Sequence, residues 1–228
     1  MTRTSFPERR SVLRSVAESM LHIAFPQECP VCGAPCVPIC GDCLDRVIAD
    51  CPPPERGEAR ALCAHVGAAR ELLLTVKYRR LALTARAMGR RAAGLLSEDV
   101  PRAVVPIPPH RKKGLIKERE NCALWLAKGI SDRTGWKVRP LLEWNGIYTP
   151  QKEQPDRAGR LSLAHGCFGC AKRPPSRVLL VDDVCTTGTT LARAAECLRA
   201  AGAQDIAAIV WSATDDYEDD TQKRTVRG

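Results

Sequence analysis

Long apolar runs and aromatic side chains are scarce in this sequence of 228 residues. Phe, Trp and Tyr together make up 4% of it, and no stretch approaches the roughly 18 consecutive apolar residues that a membrane-spanning helix needs. The arginine-rich start, Met1 to Ser15, is not followed by the continuous apolar segment of a secretory signal. We therefore expect a cytoplasmic protein without a membrane span.

Two further absences exclude whole classes of protein. No Gly-Lys pair occurs, which excludes the G-x-x-x-x-G-K-[ST] loop of P-loop NTPases. The 12 cysteines are few for a disulfide scaffold of this length, and no export signal accompanies them. We expect reduced thiols and metal ligation instead.

A short apolar run, Val178 to Val181, is followed directly by two acids, Asp182 and Asp183. The run is too short for a helix and fits a strand that is buried on both faces of a parallel sheet. In open α/β folds, ligands bind beyond the carboxyl ends of the strands. The two acids are therefore predicted to face a ligand site at the end of a central strand.

A loop rich in hydroxyl groups follows the acids and leads into a helical pattern that begins near Leu191 and stops at Gly202. Backbone N–H groups in such a loop, with the positive end of the helix dipole, favour a bound phosphate. The acids would accept hydrogen bonds from the hydroxyls of a sugar or hold water molecules on Mg²⁺. The combined prediction is a sugar phosphate, with the phosphate held by Thr186, Thr187, Gly188, Thr189 and Thr190.

The order of residues from Asp182 to Thr190 closely resembles the signature of type I phosphoribosyltransferases, which bind 5-phosphoribosyl 1-pyrophosphate (PRPP). The resemblance implies that Asp182 and Asp183 hold the ribose hydroxyls, while Thr186 to Thr190 hold the 5-phosphate. It also implies an α/β fold with a type I phosphoribosyltransferase-like parallel sheet flanked by helices, and Mg²⁺ bound together with PRPP.

Two C-x-x-C pairs near the N-terminus, separated by seven residues, are Cys29 with Cys32 and Cys40 with Cys43. Four thiolates at this spacing can surround zinc as a tetrahedron, and with no open position the metal would be structural. Cys36 and Cys51 lie near enough in sequence to replace one of them. A third pair, Cys167 and Cys170, has two minor interpretations: a redox pair, or a second zinc site with Cys51 and Cys63.

Basic residues outnumber acidic ones, and the net charge of +9 favours polyanionic partners. Ala103 to Pro108 is predicted to be a second buried strand, and a basic segment follows it. In a phosphoribosyltransferase fold a loop at this place contacts pyrophosphate. Candidate contacts to pyrophosphate or DNA are Lys77, Arg111, Lys112 and Lys113, and an exposed surface role is an equal interpretation for Lys77.

The whole order of motifs resembles the ComF family (competence protein F, GntX-like) from about residue 20 to 212. The shared features are the four-cysteine module, Lys77-Tyr78, the V-P-I-P strand and the PRPP signature. Where the family usually has R-G-F-N-Q, this chain has Glu118 to Cys122. It keeps the Asn, as Asn121, but lacks the Gly, the Phe and the Gln. The family implies a role in DNA uptake, with single-stranded DNA and the competence helicase machinery as partners.

Two classes of function stay open. One is an enzyme that binds PRPP with Mg²⁺ and transfers ribose 5-phosphate to an unknown acceptor. The other is a non-catalytic module that binds single-stranded DNA and uses PRPP as a regulatory ligand.

The expected organisation has four parts: an amphipathic helix in 1–27, a zinc-ribbon-like module with a linker in 28–60, the phosphoribosyltransferase-like domain in 61–213, and a disordered tail in 214–228. The linker is the Pro-rich stretch Cys51 to Ala61. Inside the domain we predict a helical region from Leu72 to Leu96, a helix over Asn121 to Ile130, a strand over Val138 to Leu142, and a last strand over Asp205 to Trp211.

Overall fold

The computed structural model describes residues 28–36, 38–55, 59–96, 102–109, 121–145, 167–170 and 172–214. The predicted N-terminal helix, the basic segment after Pro109 and nearly all of the predicted tail lie outside these residues. In this part of the chain, no helix has both the length and the apolar character that crossing a membrane would require.

The described residues contain six strands in two sheets. The strands are β1 (Arg60–Ala64), β2 (Ala103–Pro106), β3 (Leu142–Trp144), β4 (Phe168–Cys170), β5 (Arg177–Cys185) and β6 (Asp205–Ala213). Four of them form a parallel sheet in the order β1-β6-β5-β2, while β3 and β4 form a separate antiparallel pair. The carboxyl ends of all four parallel strands therefore meet at one edge.

β5 is a central strand, which confirms the prediction made from its apolar run. It pairs with β2 on one side and β6 on the other. Val178 and Leu180 are buried in one apolar cluster, whereas Leu179 and Val181 are buried in another. An uninterrupted apolar run is needed here because both faces of the strand are covered.

Helices cover both faces of the parallel sheet. In the described part they are α1 (Gly41–Asp50), α2 (Gly67–Tyr78), α3 (Ala82–Ala92), α4 (Cys122–Thr134) and α5 (Thr189–Ala200). α2, α3 and α4 bury apolar side chains in the cluster that contains Leu179, and α5 does so in the cluster that contains Leu180. The predicted fold class, a parallel α/β sheet flanked by helices with an N-terminal four-cysteine module, is confirmed.

α3 and α4 cross very closely because each has a glycine at the crossing. A Cβ atom on Gly89 would overlap the carbonyl group of Leu126, and one on Gly129 would overlap that of Arg86. Arg86 also donates two hydrogen bonds to Asp132, at 2.6 and 2.7 Å. These contacts hold α4 against α3.

The four-cysteine module packs directly on the helices that cover the parallel sheet. Cys29, Cys43 and Val47 lie in the same apolar cluster as Leu72 and Met88 of α2 and α3. The Thr84 hydroxyl donates to the carbonyl of Pro38 at 3.0 Å. The module and the sheet therefore share one core.

Three local predictions are wrong in their bounds. The helical region from Leu72 to Leu96 is broken by a turn at Arg79 and Arg80, because Arg80 has a φ of 56° and ends α2. The linker ends earlier than predicted, since Arg60 and Ala61 already pair with β6. The predicted strand at Val138 reaches the sheet only as an isolated bridge to Val104, and β3 starts at Leu142.

Two further elements agree with the predictions made from the sequence. α4 begins at Cys122, with the Asn121 side chain accepting a hydrogen bond from the Leu124 N–H at 3.0 Å, and it continues to Thr134. The last strand, β6, begins at Asp205 as predicted and continues to Ala213.

Candidate functional site

Asp182 and Asp183 lie within β5 and not beyond it. The sequence predicts that the strand ends at Val181, but its ladder with β6 continues through Asp182 to Cys185. Successive residues of a strand point to opposite faces, so the two carboxylates leave the backbone in different directions. The acids still lie at the carboxyl edge of the sheet, where ligands of open α/β folds bind.

Asp183 forms an ion pair with Lys77, which lies in the last turn of α2. Lys77 Nζ is 2.7 Å from Asp183 Oδ1, and the side chains are 39% and 18% exposed. Burial disfavours the charge on Lys77, but the carboxylate of Asp183 outweighs this effect and raises the pKa of the amine. The structure thus brings Lys77 to the acids, although about 100 positions separate them in the sequence.

Asp182 has a different environment. Its Oδ1 accepts a hydrogen bond from the backbone N–H of Asp183 at 2.8 Å. Burial of the carboxyl group, and then the negative charge of Asp183, raise the pKa of Asp182 to about 8. Burial and the neighbouring carboxylate therefore favour the protonated form of Asp182.

The loop after β5 leads into α5 through Gly188, which has a φ of 70°. This left-handed conformation favours glycine and places Gly188 at the N-cap of α5 without a capping side chain. Thr187 and Thr189 share a hydrogen bond between their hydroxyls at 2.9 Å. The first N–H groups of α5 are left for a ligand, and an anion is the ligand that the helix dipole favours there.

Cys122 is a buried neighbour of the acids that sequence reasoning did not identify as part of the site. Its burial, and then the charge of Asp183, raise the pKa of its thiol well above the usual value. It is the first residue of α4. A protonated, buried thiol at this place acts as a small packing group beside Asp183.

His65 is a second residue that the sequence did not reveal. It is the first residue after β1, and its Nδ1 is 2.8 Å from the Oγ of Ser212, a fully buried residue of β6. Burial, and then the charges of Arg70 and Lys77, lower the pKa of the imidazole, while Asp183 opposes them. The sequence does not reveal it because β1 is short and its first two residues, Arg60 and Ala61, belong to the predicted linker, so no strand end is predicted before His65.

The four predicted metal ligands come together. The ligand atoms of Cys29, Cys32, Cys40 and Cys43 all lie within 4.8 Å of one another, and the sulfur atoms of Cys32 and Cys40 are 3.8 Å apart. Zinc–sulfur bonds of about 2.3 Å in a tetrahedron require sulfur atoms about 3.8 Å apart. The cluster can hold a metal ion, and the all-thiolate set fits zinc.

Among these four thiols, that of Cys29 has a lowered pKa. Burial raises the pKa of Cys29, but hydrogen bonds from the backbone of Cys32, Cys40 and Val31 outweigh it and lower the pKa to about 6. The backbone N–H groups therefore favour the thiolate form of Cys29, which is the form that binds zinc.

Cys36 lies beside this cluster, with its thiol in hydrogen-bonding contact with those of Cys40 and Cys29, whereas the described cysteines outside the module do not extend it. Among the described residues the four-thiol group is the one set of three or more potential metal ligands. Cys63 donates to the carbonyl of Trp211 and Cys51 to that of Val66, while Arg193 donates to Cys167 and Cys170 donates to the carbonyl of Lys172. The alternative of a second zinc site in this part of the chain is not supported. The predicted contacts Arg111, Lys112 and Lys113 lie outside the described residues.

Comparisons with known proteins agree with the site at the level of the domain. Residues 171–228 match the model of the phosphoribosyl transferase domain. No curated protein matches the chain.

Solved structures that resemble the chain include two with 22% sequence identity. They are the allosteric regulatory enzyme of purine biosynthesis, with a TM-score of 0.41, and the glutamine PRPP amidotransferase of B. subtilis complexed with ADP and GMP, with a TM-score of 0.40. Each match covers 57% of this chain and 26% of the other, so the chain spans about a quarter of the length of these proteins.

The matched segment begins just before β5 and includes both acids, the threonine loop and β6. These are the elements whose geometry forms the anion and carboxylate site described above. The carboxyl-terminal part of the chain, from residue 171 onward, is therefore similar to a phosphoribosyl transferase domain.

Proposed function

We propose that this protein binds PRPP with Mg²⁺ and transfers ribose 5-phosphate to an acceptor. The observation that carries the proposal is the junction of β5 and α5. There, two carboxylates are followed within a few residues by a helix N-terminus that Gly188 opens and no side chain caps. One ligand that requires both a carboxylate pair and an anion cradle is a sugar phosphate.

Each part of the junction has a role in this proposal. Thr186 to Thr190 hold the 5-phosphate through backbone N–H groups and hydroxyls. Asp182 and Asp183 accept hydrogen bonds from the ribose hydroxyls. As the bond to pyrophosphate breaks, the ribose gains positive charge, and nearby carboxylates stabilise that charge.

Lys77 has two anionic partners in turn. Without ligand it pairs with Asp183 at 2.7 Å, and with PRPP present it contacts pyrophosphate while Asp183 binds the ribose. The basic residues Arg111, Lys112 and Lys113, which follow β2 in the sequence, supply further contacts to pyrophosphate. Asp182 and Asp183 would offer oxygen atoms to the water bound to Mg²⁺, and the ion would supply positive charge to the leaving group.

Calorimetry with PRPP and Mg²⁺ tests this proposal. Replacing both acids, Asp182→Asn with Asp183→Asn, should weaken binding at least tenfold, since each hydrogen bond to a charged group is worth about 1.5 to 3 kcal/mol. Gly188→Val should abolish binding because it disfavours the left-handed φ and crowds the cradle. Glu196→Gln, an exposed change on α5, is the matched control and should bind like the wild type. Wild-type binding no tighter than that of inorganic phosphate would contradict the proposal.

The role of Lys77 has its own measurement. Lys77→Gln should weaken PRPP but leave the affinity for ribose 5-phosphate, which lacks pyrophosphate, nearly unchanged. An equal loss of affinity for both ligands would show that Lys77 positions the acids and does not contact pyrophosphate.

A structural zinc in the four-cysteine module is part of the same proposal. The observation that supports it is the close set of four sulfur atoms, one of them a ready thiolate. Because all four ligands come from the protein, the metal stabilises the module and takes no part in transfer.

A second candidate function is binding of single-stranded DNA during DNA uptake. It is favoured by the net charge of +9 and by the resemblance to the ComF family, whose partners include the competence helicase machinery. Affinity for an oligonucleotide should fall linearly with the logarithm of salt concentration, and Lys112→Glu with Lys113→Glu should reduce that slope by about one per lost phosphate contact. Absence of binding at low salt would exclude this function.

A further inference from the structure

An open pocket of about 200 Å³ lies where the end of α2, the start of α3 and the start of α4 meet. Its charged lining residues are two cations, Lys77 and Arg80. The other walls are neutral and are formed by Cys122, Trp125 and apolar side chains of α2, α3 and the turn between them. Among the residues that the structure describes, no acid lines the pocket, so the pocket suits an anion.

The pocket is connected to the acids through Lys77. Lys77 Nζ is 2.7 Å from Asp183 Oδ1, so one side chain belongs to both the pocket and the acid pair. Asp183 has the strand parity of Leu179 and Val181, whose face of the sheet is covered by α2, α3 and α4. α5 covers the other face. The pocket and the N-terminus of α5 therefore lie on opposite faces of the sheet.

This placement matches the order of the polar groups in PRPP. The ligand carries a phosphate at one end of its ribose and pyrophosphate at the other, with two hydroxyls on the ring between them. In the proposed function, the N-terminus of α5 holds the 5-phosphate and the acids hold the hydroxyls. The pyrophosphate is then expected on the face of α2 and α4, where Lys77 and Arg80 line the pocket.

Arg80 lines the pocket from an unfavourable backbone conformation. Its φ is 56°, and it occupies the position after α2 at which a helix that ends in this way ordinarily has glycine. Residues in such conformations cluster at ligand sites, where function retains them. Glycine would relieve the conformation but would remove a cation from the pocket. Because the turn itself does not require that cation, its presence points to a ligand.

We propose that Arg80 binds the pyrophosphate group of PRPP together with Lys77, in the pocket between α2, α3 and α4. This inference rests on the proposed function. The planar guanidinium donates two N–H groups to phosphate oxygens, and the Lys77 ammonium, released from Asp183, contacts another. As the C1–O bond breaks, its electron pair leaves with pyrophosphate. The two cations stabilise the negative charge that the leaving group gains.

Calorimetry in the presence of Mg²⁺ tests the inference with three probes: inorganic pyrophosphate, PRPP and ribose 5-phosphate. Arg80→Gly should weaken the binding of pyrophosphate and of PRPP by about tenfold or more, because hydrogen bonds between charged groups are lost. The affinity for ribose 5-phosphate should change by less than about twofold, since that ligand lacks pyrophosphate. Arg80→Lys keeps the charge and the backbone conformation, and it should bind pyrophosphate more tightly than Arg80→Gly.

Arg79→Gly is the matched control. Arg79 is the exposed neighbour of Arg80 and does not line the pocket. This variant makes the same change of charge and introduces the same residue. All three affinities should stay within about twofold of the wild-type values. An equal loss of pyrophosphate binding in Arg79→Gly and Arg80→Gly would assign the effect to net charge and would overturn the inference.

The outcomes separate this inference from the proposed function. Failure of the wild type to bind PRPP would contradict the proposed function, and this inference with it. PRPP binding that is unchanged in Arg80→Gly would overturn the role of Arg80 alone. An equal loss of affinity for ribose 5-phosphate in Arg80→Gly would also overturn that role, because the variant would then act on the whole site.

Discussion

At the scale of single residues, the candidate site contains two neighbouring acids with different surroundings. Asp183 is paired with Lys77, whereas Asp182 has a burial-raised pKa of about 8 and a hydrogen bond from the adjacent backbone. In the ligand-free protein, burial and the charge of Asp183 favour the protonated form of Asp182. Binding of a ligand rich in hydroxyl groups and cations would favour ionisation of Asp182, so its charge is linked to occupancy.

The first prediction concerns the stability of the protein as a function of pH. A carboxyl group with a folded pKa of about 8 and an unfolded pKa of about 3.9 keeps an extra proton in the folded state between these values. The free energy of unfolding should therefore fall as pH rises from about 4 to 8, by at most about 1.4 kcal/mol per pH unit for this group.

Urea denaturation at several pH values tests this, with Asp182→Asn as the comparison. The amide cannot ionise and retains an oxygen that accepts the hydrogen bond from Asp183 N–H. Its profile should be flatter than that of the wild type across the same range. Parallel profiles would show that Asp182 ionises normally in the folded protein.

At the scale of elements, the turn between α2 and α3 has an unusual residue at its key position. Leu81 N–H donates to the carbonyl of Val76 and Arg80 N–H to that of Lys77, the arrangement of a Schellman C-cap. Arg80 takes the left-handed conformation that glycine ordinarily occupies there. The side chain adds strain of about 1 kcal/mol at this position.

Arg80→Gly should therefore raise the free energy of unfolding by about 1 kcal/mol. Arg79→Gly is the matched control, since Arg79 has an ordinary φ of −84°, and it should lower stability by about 0.5 to 1 kcal/mol. Thermal denaturation of both variants measures the difference. If Arg80→Gly is destabilising, contacts of the arginine side chain outweigh the strain.

The crossing of α3 and α4 gives a second prediction at this scale. Gly89→Ala and Gly129→Ala each place a methyl group against backbone of the other helix, which cannot move aside as a flexible side chain would. Each should destabilise the protein by about 2 to 3 kcal/mol or more, because the helices must separate. Gly94→Ala, where a Cβ atom has open space, should be neutral or slightly stabilising. Equal midpoints in urea for all three variants would contradict the close crossing.

The same elements show what the sequence can and cannot predict. Val178 to Val181 predict a strand that is buried on both faces, because no polar residue interrupts them, and the structure confirms it. The order of acids, threonines and Gly188 predicts a sugar-phosphate site. β1 was missed because Arg60 to Ala64 is short and adjoins a Pro-rich stretch. The break at Arg80 was missed because no Gly or Pro marks it. The ion pair of Lys77 with Asp183 and the pairing of His65 with Ser212 depend on tertiary packing, which local patterns do not contain.

At the scale of the whole molecule, the metal site and the sheet belong to one core. Cys29 and Cys43 are both proposed zinc ligands and members of the apolar cluster that includes Leu72 and Met88. Loss of the metal should therefore loosen more than the short segment that binds it. Without the metal, α2 and α3 would lose part of the apolar packing that the four-cysteine module provides.

Removal of zinc gives the prediction at this scale. Metal analysis should find about one zinc per chain, and Cys40→Ser with Cys43→Ser should lose it. Chelation should lower the temperature of a single unfolding transition, because the module does not unfold independently of the sheet. Cys36→Ser is the control and should retain the metal. Two separate transitions, or full zinc content in the double variant, would contradict the shared core or the ligand set.

The strand order also determines when the sheet can form during synthesis. Among the described residues, β1 has β6 as its strand partner, and the two meet through residues 148 positions apart, Cys63 and Trp211. A nascent chain exposes β1 long before β6 leaves the ribosome, so this pairing is a late and non-local step. β1 can therefore join the sheet only after β6 has been translated. Until then, the unpaired edge of β1 can associate incorrectly.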